Sequence, residues 1–175
     1  NVAVAVADQI IDFLKNGTVR NAVNMPSVTG ELLEKLDPFL KLGDSMGSLQ
    51  SQLIKEPLKE VIIEFNGDFQ GLDLAPVTTA VLKGILEPVV KDDVNTVNAP
   101  VIAKSRGIKV TETNSLESED YINLITVSAV TTGSTSVVAG TIFGKNDPRV
   151  VKIDNFRVEM GTQGHIAIIQ NLDKP

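Results

Sequence analysis

Residues 121–161 read YINLITVSAVTTGSTSVVAGTIFGKNDPRVVKIDNFRVEMG, and this stretch decides the fold. It contains four strand-like segments rich in β-branched residues, Tyr121–Val130, Ser136–Phe143, Val150–Ile153 and Phe156–Met160. Thr132-Gly133, Asn146-Asp147-Pro148 and Asp154-Asn155 separate them as turn-forming clusters. Connections this short leave no room for a crossover, so antiparallel pairing is predicted.

Working outward, Ile108–Thr113 and Leu58–Phe65 also read as strands, the second with Val61, Ile63 and Phe65 on one face and Asn66-Gly67 at its end. Downstream, His165–Gln170 is predicted as a further strand. The other segments carry a helical period. Ala3, Val6, Ala7, Ile10 and Leu14 form a stripe within Asn1–Lys15, which Asn16-Gly17 stops. Thr18–Val28 reads as an extended connector, with Pro26 holding Met25 out of helical geometry.

A second helix is predicted from a Thr29 cap, with Glu31 in its first turn and Leu32, Leu33, Leu36, Phe39 and Leu40 facing inward. Pro38 should kink or divide it, and Gly43 and Gly47 weaken its continuation over Asp44–Leu53. Val77–Val90, preceded by Pro76, and Pro100–Arg106, ended by Gly107, complete the helical set. Helices first and a run of strands later predict an α+β fold, a mainly antiparallel sheet covered by helices with an N-terminal flanking helix.

The 175 residues, 42% of them hydrophobic, suit one main domain with flanking pieces. Aromatic residues make up only 4% and Trp is absent, so Val, Ile and Leu must build the core. A net charge of -6 argues against nucleic acid, whose phosphate backbone selects clustered Lys and Arg. The absence of Cys removes thiol nucleophiles, disulfides and thiolate metal sites. No apolar run reaches the roughly 18–20 residues of a membrane span, and Val2–Val6 lacks the basic leader of a signal peptide. The chain reads as soluble and cytoplasmic. It opens inside a helical repeat without an initiator Met, as a piece of a longer protein would.

Little in the sequence supports catalysis. His165 is the only histidine, and a surface or structural role suits it better than a base without identified partners. No Gly-x-Ser-x-Gly elbow, dinucleotide-binding Gly-x-Gly-x-x-Gly or phosphate-binding Gly-Lys-Ser/Thr loop occurs. Asp92-Asp93 and Glu117 with Glu119 fall in loops and read as solvated acids. Gly140 and Gly144 flank a strand, where a bulge or close packing accounts for them.

The basic residues are more informative because they stand beside turns: Lys104 and Arg106 after a short helix, Lys145 and Arg149 around Asn146-Asp147-Pro148, and Lys152 and Arg157 on the following strands. Brought together they would form an anion pocket; kept apart they are a solvated rim with scattered ion pairs.

Four stretches carry a family likeness: Arg20-Asn21-Ala22-Val23-Asn24-Met25-Pro26-Ser27, Leu82-Lys83-Gly84-Ile85-Leu86-Glu87-Pro88, Asn98-Ala99-Pro100 followed by Ala103-Lys104-Ser105-Arg106-Gly107, and Gly140-Thr141-Ile142-Phe143-Gly144. In this order they resemble the long form of D-3-phosphoglycerate dehydrogenase beyond its cofactor domain. The resemblance implies that residues 1–25 are the tail of the catalytic region. Residues 26–164 would then be the intervening, allosteric-substrate-binding domain, and 165–175 the start of an ACT domain.

It further implies a parent that oxidises 3-phosphoglycerate with NAD at the entry to serine biosynthesis, and a fragment with no cofactor or catalytic residue of its own. Arg149 and Arg157 become the leading contacts for 3-phosphoglycerate, phosphate or another anion, with Lys104 and Lys145 behind them. Asn171 and Asp173 match part of the ACT turn that holds serine. Self-association is expected, nucleic-acid and membrane partners are not. A departure is Gly161-Thr162, where some relatives carry another basic residue. The competing reading is a purely structural subunit interface.

Overall fold

Strand β1 (Leu58–Gly67) is where the core is laid down: Val61, Ile63 and Phe65 point to one side and are buried, while Ile62 and Glu64 between them are only half-buried. A computed structural model of the chain describes residues 2–16, 30–69, 71–90, 93–118 and 120–169. The elements are α1 (Val2–Asn16), α2 (Gly30–Leu53), β1, α3 (Ala75–Leu86), α4 (Ala99–Ser105), β2 (Lys109–Ser115), β3 (Asn123–Thr131), β4 (Thr135–Phe143), β5 (Asp147–Ile153) and β6 (Phe156–Gly161). The fold is α+β, as the order of periodicities predicts.

The six strands form one sheet in the order β2-β1-β3-β4-β5-β6. Four junctions are antiparallel, and β1–β2 is parallel, its crossover supplied by α3 and α4. Helices α2 and α3 bury Leu36, Leu42, Met46, Val77, Val81 and Ile85 in the same core as Val61, Ile63, Ile125, Val127, Val138 and Val150. Phe69 links the rings of Phe39 and Phe65, with centroids 5.3 and 5.6 Å away. On the opposite face of the sheet Ile62, Thr126, Ser128 and Val137 are half-buried, while Ala139 and Thr141 are buried.

Of the two outcomes expected at Pro38, a kink or a division, helix α2 shows no division. It runs unbroken for 24 residues through Pro38, Gly43 and Gly47. The cost of glycine in a helix, roughly 1 kcal/mol each, is offset by contact. A Cβ at Gly47 would collide with the carbonyl oxygen of Val81, one at Gly84 with that of Asp44, and one at Gly43 would lie 3.1 Å from the Val77 oxygen. These glycines let the backbones of α2 and α3 touch. Lys83 on α3 then pairs with Asp44 of α2 at 3.1 Å and with Glu87 at 2.9 Å. Gly140 serves the sheet side of α2, since a Cβ there would stand 2.8 Å from both Leu42 and Met46.

One polar side chain crosses the layer. Gln50 of α2 is fully buried, and its Nε2 donates to the carbonyl oxygens of Ser136 at 2.6 Å and Val127 at 3.3 Å. It fixes α2 over β3 and β4.

Glu56, between α2 and β1, closes the β3–β4 turn. Its carboxylate accepts from the Gly133 amide at 2.7 Å and the hydroxyls of Thr131 and Thr132 at 2.9 and 3.1 Å. The Thr131 hydroxyl foremost, then Thr132 and the Gly133 amide, hold its pKa below the ordinary 4.5. A depressed carboxylate adds stability above its unfolded pKa and loses it as pH falls through the lower folded value. Glu56→Gln is therefore expected to unfold in less urea than the parent at about pH 7, with the difference shrinking by about pH 3. Urea titrations at both pH values test this; an equal deficit at both would assign the loss to something other than the charge.

Two further expectations change. Helix α3 ends at Leu86 rather than Val90, although Val90 is still buried. His165–Ile169 forms no strand: it joins no ladder of the sheet, and Ile166, Ile168 and Ile169 are exposed. Alternating apolar residues alone do not make a strand when no neighbouring backbone pairs with them. The connector Thr18–Val28 and the Thr29 cap lie outside the described residues.

Candidate functional site

The face of the sheet away from α2 and α3 acquires its basic residues through a break in alternation. Val150 and Ile153 are both buried in the core, three positions apart, because the β4–β5 register shifts at Ala139/Gly140. In an unbroken strand one of them would face outward. The irregularity instead puts Lys152 on the same face as Arg149, the re-aiming that bulges commonly provide. Lys152 then stands directly opposite Arg157 of β6.

Two cations opposite each other on one face repel and weaken a strand pair. Asp120, in the loop before β3, answers Arg157 at 3.1 Å, although the Arg157 side chain stays 86% exposed. Lys152 makes no ion pair among the described residues. Both basic residues line a cleft of about 830 Å³ with Asn66, Ser115, Asp120 and Tyr121. The ring of Tyr121 stacks on Phe143 of β4 at 6.4 Å between centroids.

Arg149 sits one step along the same face, opposite Thr141 and Gly161. Its Nε donates to both oxygens of Asp147 at 3.0 Å, and its Nη2 lies 2.9 Å from one of them. Hydrogen bonding to Asp147 chiefly, helped by the charges of Asp147 and Glu159, raises its pKa. The guanidinium is thus held in place by its neighbour, with its remaining N–H groups available to a second acceptor.

The other residues expected at an anion pocket are elsewhere. Lys104, in the last turn of α4, lines a groove of about 420 Å³ with Thr78, Leu82 and Val110. Lys145, in the β4–β5 turn, lines a third cleft beside Lys35, Phe39 and Phe69. Arg149 and Arg157 share a face, while Lys104 and Lys145 line separate clefts. Lys152 is the residue that spacing alone underrates; its signal is the odd separation of Val150 and Ile153. Asn171 and Asp173 lie outside the described residues. His165 is exposed. Among the described residues, no group of three or more His, Asp or Glu could hold a metal, and no helix is long and apolar enough to cross a membrane.

Residues 35–154 match a family model described as the D-3-phosphoglycerate dehydrogenase intervening domain. Among curated proteins the chain is similar to the D-3-phosphoglycerate dehydrogenase of Bacillus subtilis, 35% identical over 99% of this chain and 33% of the relative. It is equally similar to that of Archaeoglobus fulgidus, 35% identical over 100% of the chain and 33% of the relative. The Synechocystis enzyme is 32% identical over 100% of the chain and 32% of its own length. The chain therefore spans about a third of the relatives it matches.

Proposed function

The chain belongs to the D-3-phosphoglycerate dehydrogenase family through that family's intervening domain, and from this premise we propose that it is a regulatory and assembly unit which binds a phosphorylated substrate or another small anion. In this reading the dehydrogenase chemistry, oxidation of 3-phosphoglycerate with NAD in cytoplasmic serine biosynthesis, belongs to the catalytic domains of a longer protein. The intervening domain contributes no reacting group. Residues 165–175 would begin an ACT domain, with Asn171 and Asp173 as part of its serine site.

The observation that carries the proposal is the shared placement of Arg149, Lys152 and Arg157 on the face of β5 and β6 away from α2 and α3. A phosphate between Lys152 and Arg157 would replace their repulsion with two charge-assisted hydrogen bonds. Asp120 is the group an anion would displace or share. Regulation then follows by linkage: an anion bound more tightly in one arrangement of the whole protein shifts the population towards it.

A ligand that binds only the folded chain raises its melting temperature. With a dissociation constant on the order of 1 mM, about 10 mM phosphate or 3-phosphoglycerate should raise Tm by roughly 3 °C. Potassium chloride at equal ionic strength should not, and Arg149→Ala and Arg157→Ala should each reduce the shift. Absence of a shift, or a full shift retained by both variants, would overturn anion binding. The second reading, a purely structural interface, is favoured by the carboxylates already paired with both arginines.

A further inference from the structure

Strand β6 is one end of the sheet, and its side chains are arranged to match themselves. Read from Phe156, the strand is Phe-Arg-Val-Glu-Met-Gly. Val158 and Met160 pack against the helix-side core, while Arg157 lies on the other face opposite Lys152. Phe156 is 66% exposed although its strand neighbour Ile153 is buried.

We infer that β6 is a self-association edge, pairing antiparallel with β6 of a second copy about a two-fold axis at Val158. In that register Arg157 faces Glu159 of the other copy, and the symmetry repeats the pair. On the helix-side face Phe156 meets Met160 of the other copy, and the two Val158 side chains meet on the axis. Both faces are complementary at once, and the sheet becomes continuous through the junction. The exposed Phe156 ring gains a partner that the described residues do not supply. Arg157 can keep Asp120 while reaching the new carboxylate, because guanidinium offers five donors.

The opposite edge of the sheet lacks this property. Strand β2 reads Lys-Val-Thr-Glu-Thr-Asn-Ser, and a two-fold at its central Glu112 would place two glutamates together. Edge strands are commonly protected by lysine, proline or bulges that discourage pairing. β6 contains neither lysine nor proline. The charge pattern therefore selects β6 as the joining edge and a second copy of this chain as its occupant. The inference does not depend on anion binding and is tested in phosphate-free buffer.

Sedimentation equilibrium of the 175-residue chain should show a monomer–dimer equilibrium. Arg157→Glu and Glu159→Arg should each weaken it by about tenfold or more, since each reverses both symmetric pairs. The double reversal should restore association to within about threefold of the parent. Circular dichroism verifies that all variants are folded. The chain contains no cysteine, so Val158→Cys gives an independent reading of the register: mild oxidation should cross-link two copies through that position. A chain monomeric at about 1 mM, a dimer indifferent to the single reversals, reversals that do not compensate, or no cross-link at Val158 would each overturn the proposed pairing.

Discussion

Gly84→Ala is expected to cost about 3 kcal/mol and to move the urea midpoint down by about 1–2 M. Local helix propensity points the other way, because alanine in a helix interior gains roughly 1 kcal/mol over glycine. The interhelix contact decides between them. Position 84 faces the Asp44 carbonyl, and position 47 of α2 faces the Val81 carbonyl, so an added methyl meets backbone from either side. Backbone cannot swing away as a side-chain tip can. Relief requires α2 and α3 to separate along the helix pair that covers the core. Gly161→Ala provides the control, since nothing lies within 4 Å of a Cβ there, and its expected change is within about 0.5 kcal/mol. A Gly84→Ala protein as stable as the parent would show that the crossing is looser than described.

Phe65→Ala is expected to cost about 3–5 kcal/mol. Phe65 is 1% exposed, lies on strand β1 between β2 and β3, and meets Phe69 at 5.6 Å between ring centroids. Removing the ring takes away its transfer energy and leaves a void that two neighbouring strands limit from closing. Domains of this kind commonly have only about 5–15 kcal/mol in total, so the variant should lose a large part of its stability. Phe65→Leu, which keeps most of the volume, should cost less than about 1.5 kcal/mol. Urea unfolding of both variants measures the ratio; equal losses would mean that packing volume at this site does not matter.

Strands were legible where one face is buried and the other is not. Val61, Ile63 and Phe65 alternate with more exposed neighbours, and the turn clusters after Thr131 and Ile153 mark where the chain reverses. The β1–β2 crossover was less visible because parallel pairing is a relation between segments, with no local signature in either. The role of Gly43 and Gly47 is hidden for a similar reason: propensity gives their cost inside α2, whereas the gain that offsets it lies in contact with α3.

The basic face was half legible. Arg149 and Arg157 are visible as charges beside turns, but the bulge that brings Lys152 beside them is a matter of register. Lys104 and Lys145 are also beside turns. Sequence gives no reason why those turns stand over different clefts.

The parallel seam between β1 and β2 has a consequence for the order of assembly. The hairpins from β3 to β6 close short loops, and little chain entropy is lost before their first contacts form. Closing β2 onto β1 spans the whole of α3 and α4, so its entropy loss is larger and is recovered only as those helices dock. The glycine crossing that seats α3 on α2 therefore also governs when the sheet acquires its outermost parallel strand. A side chain that props the helices apart would act on the folding barrier as well as on the finished core.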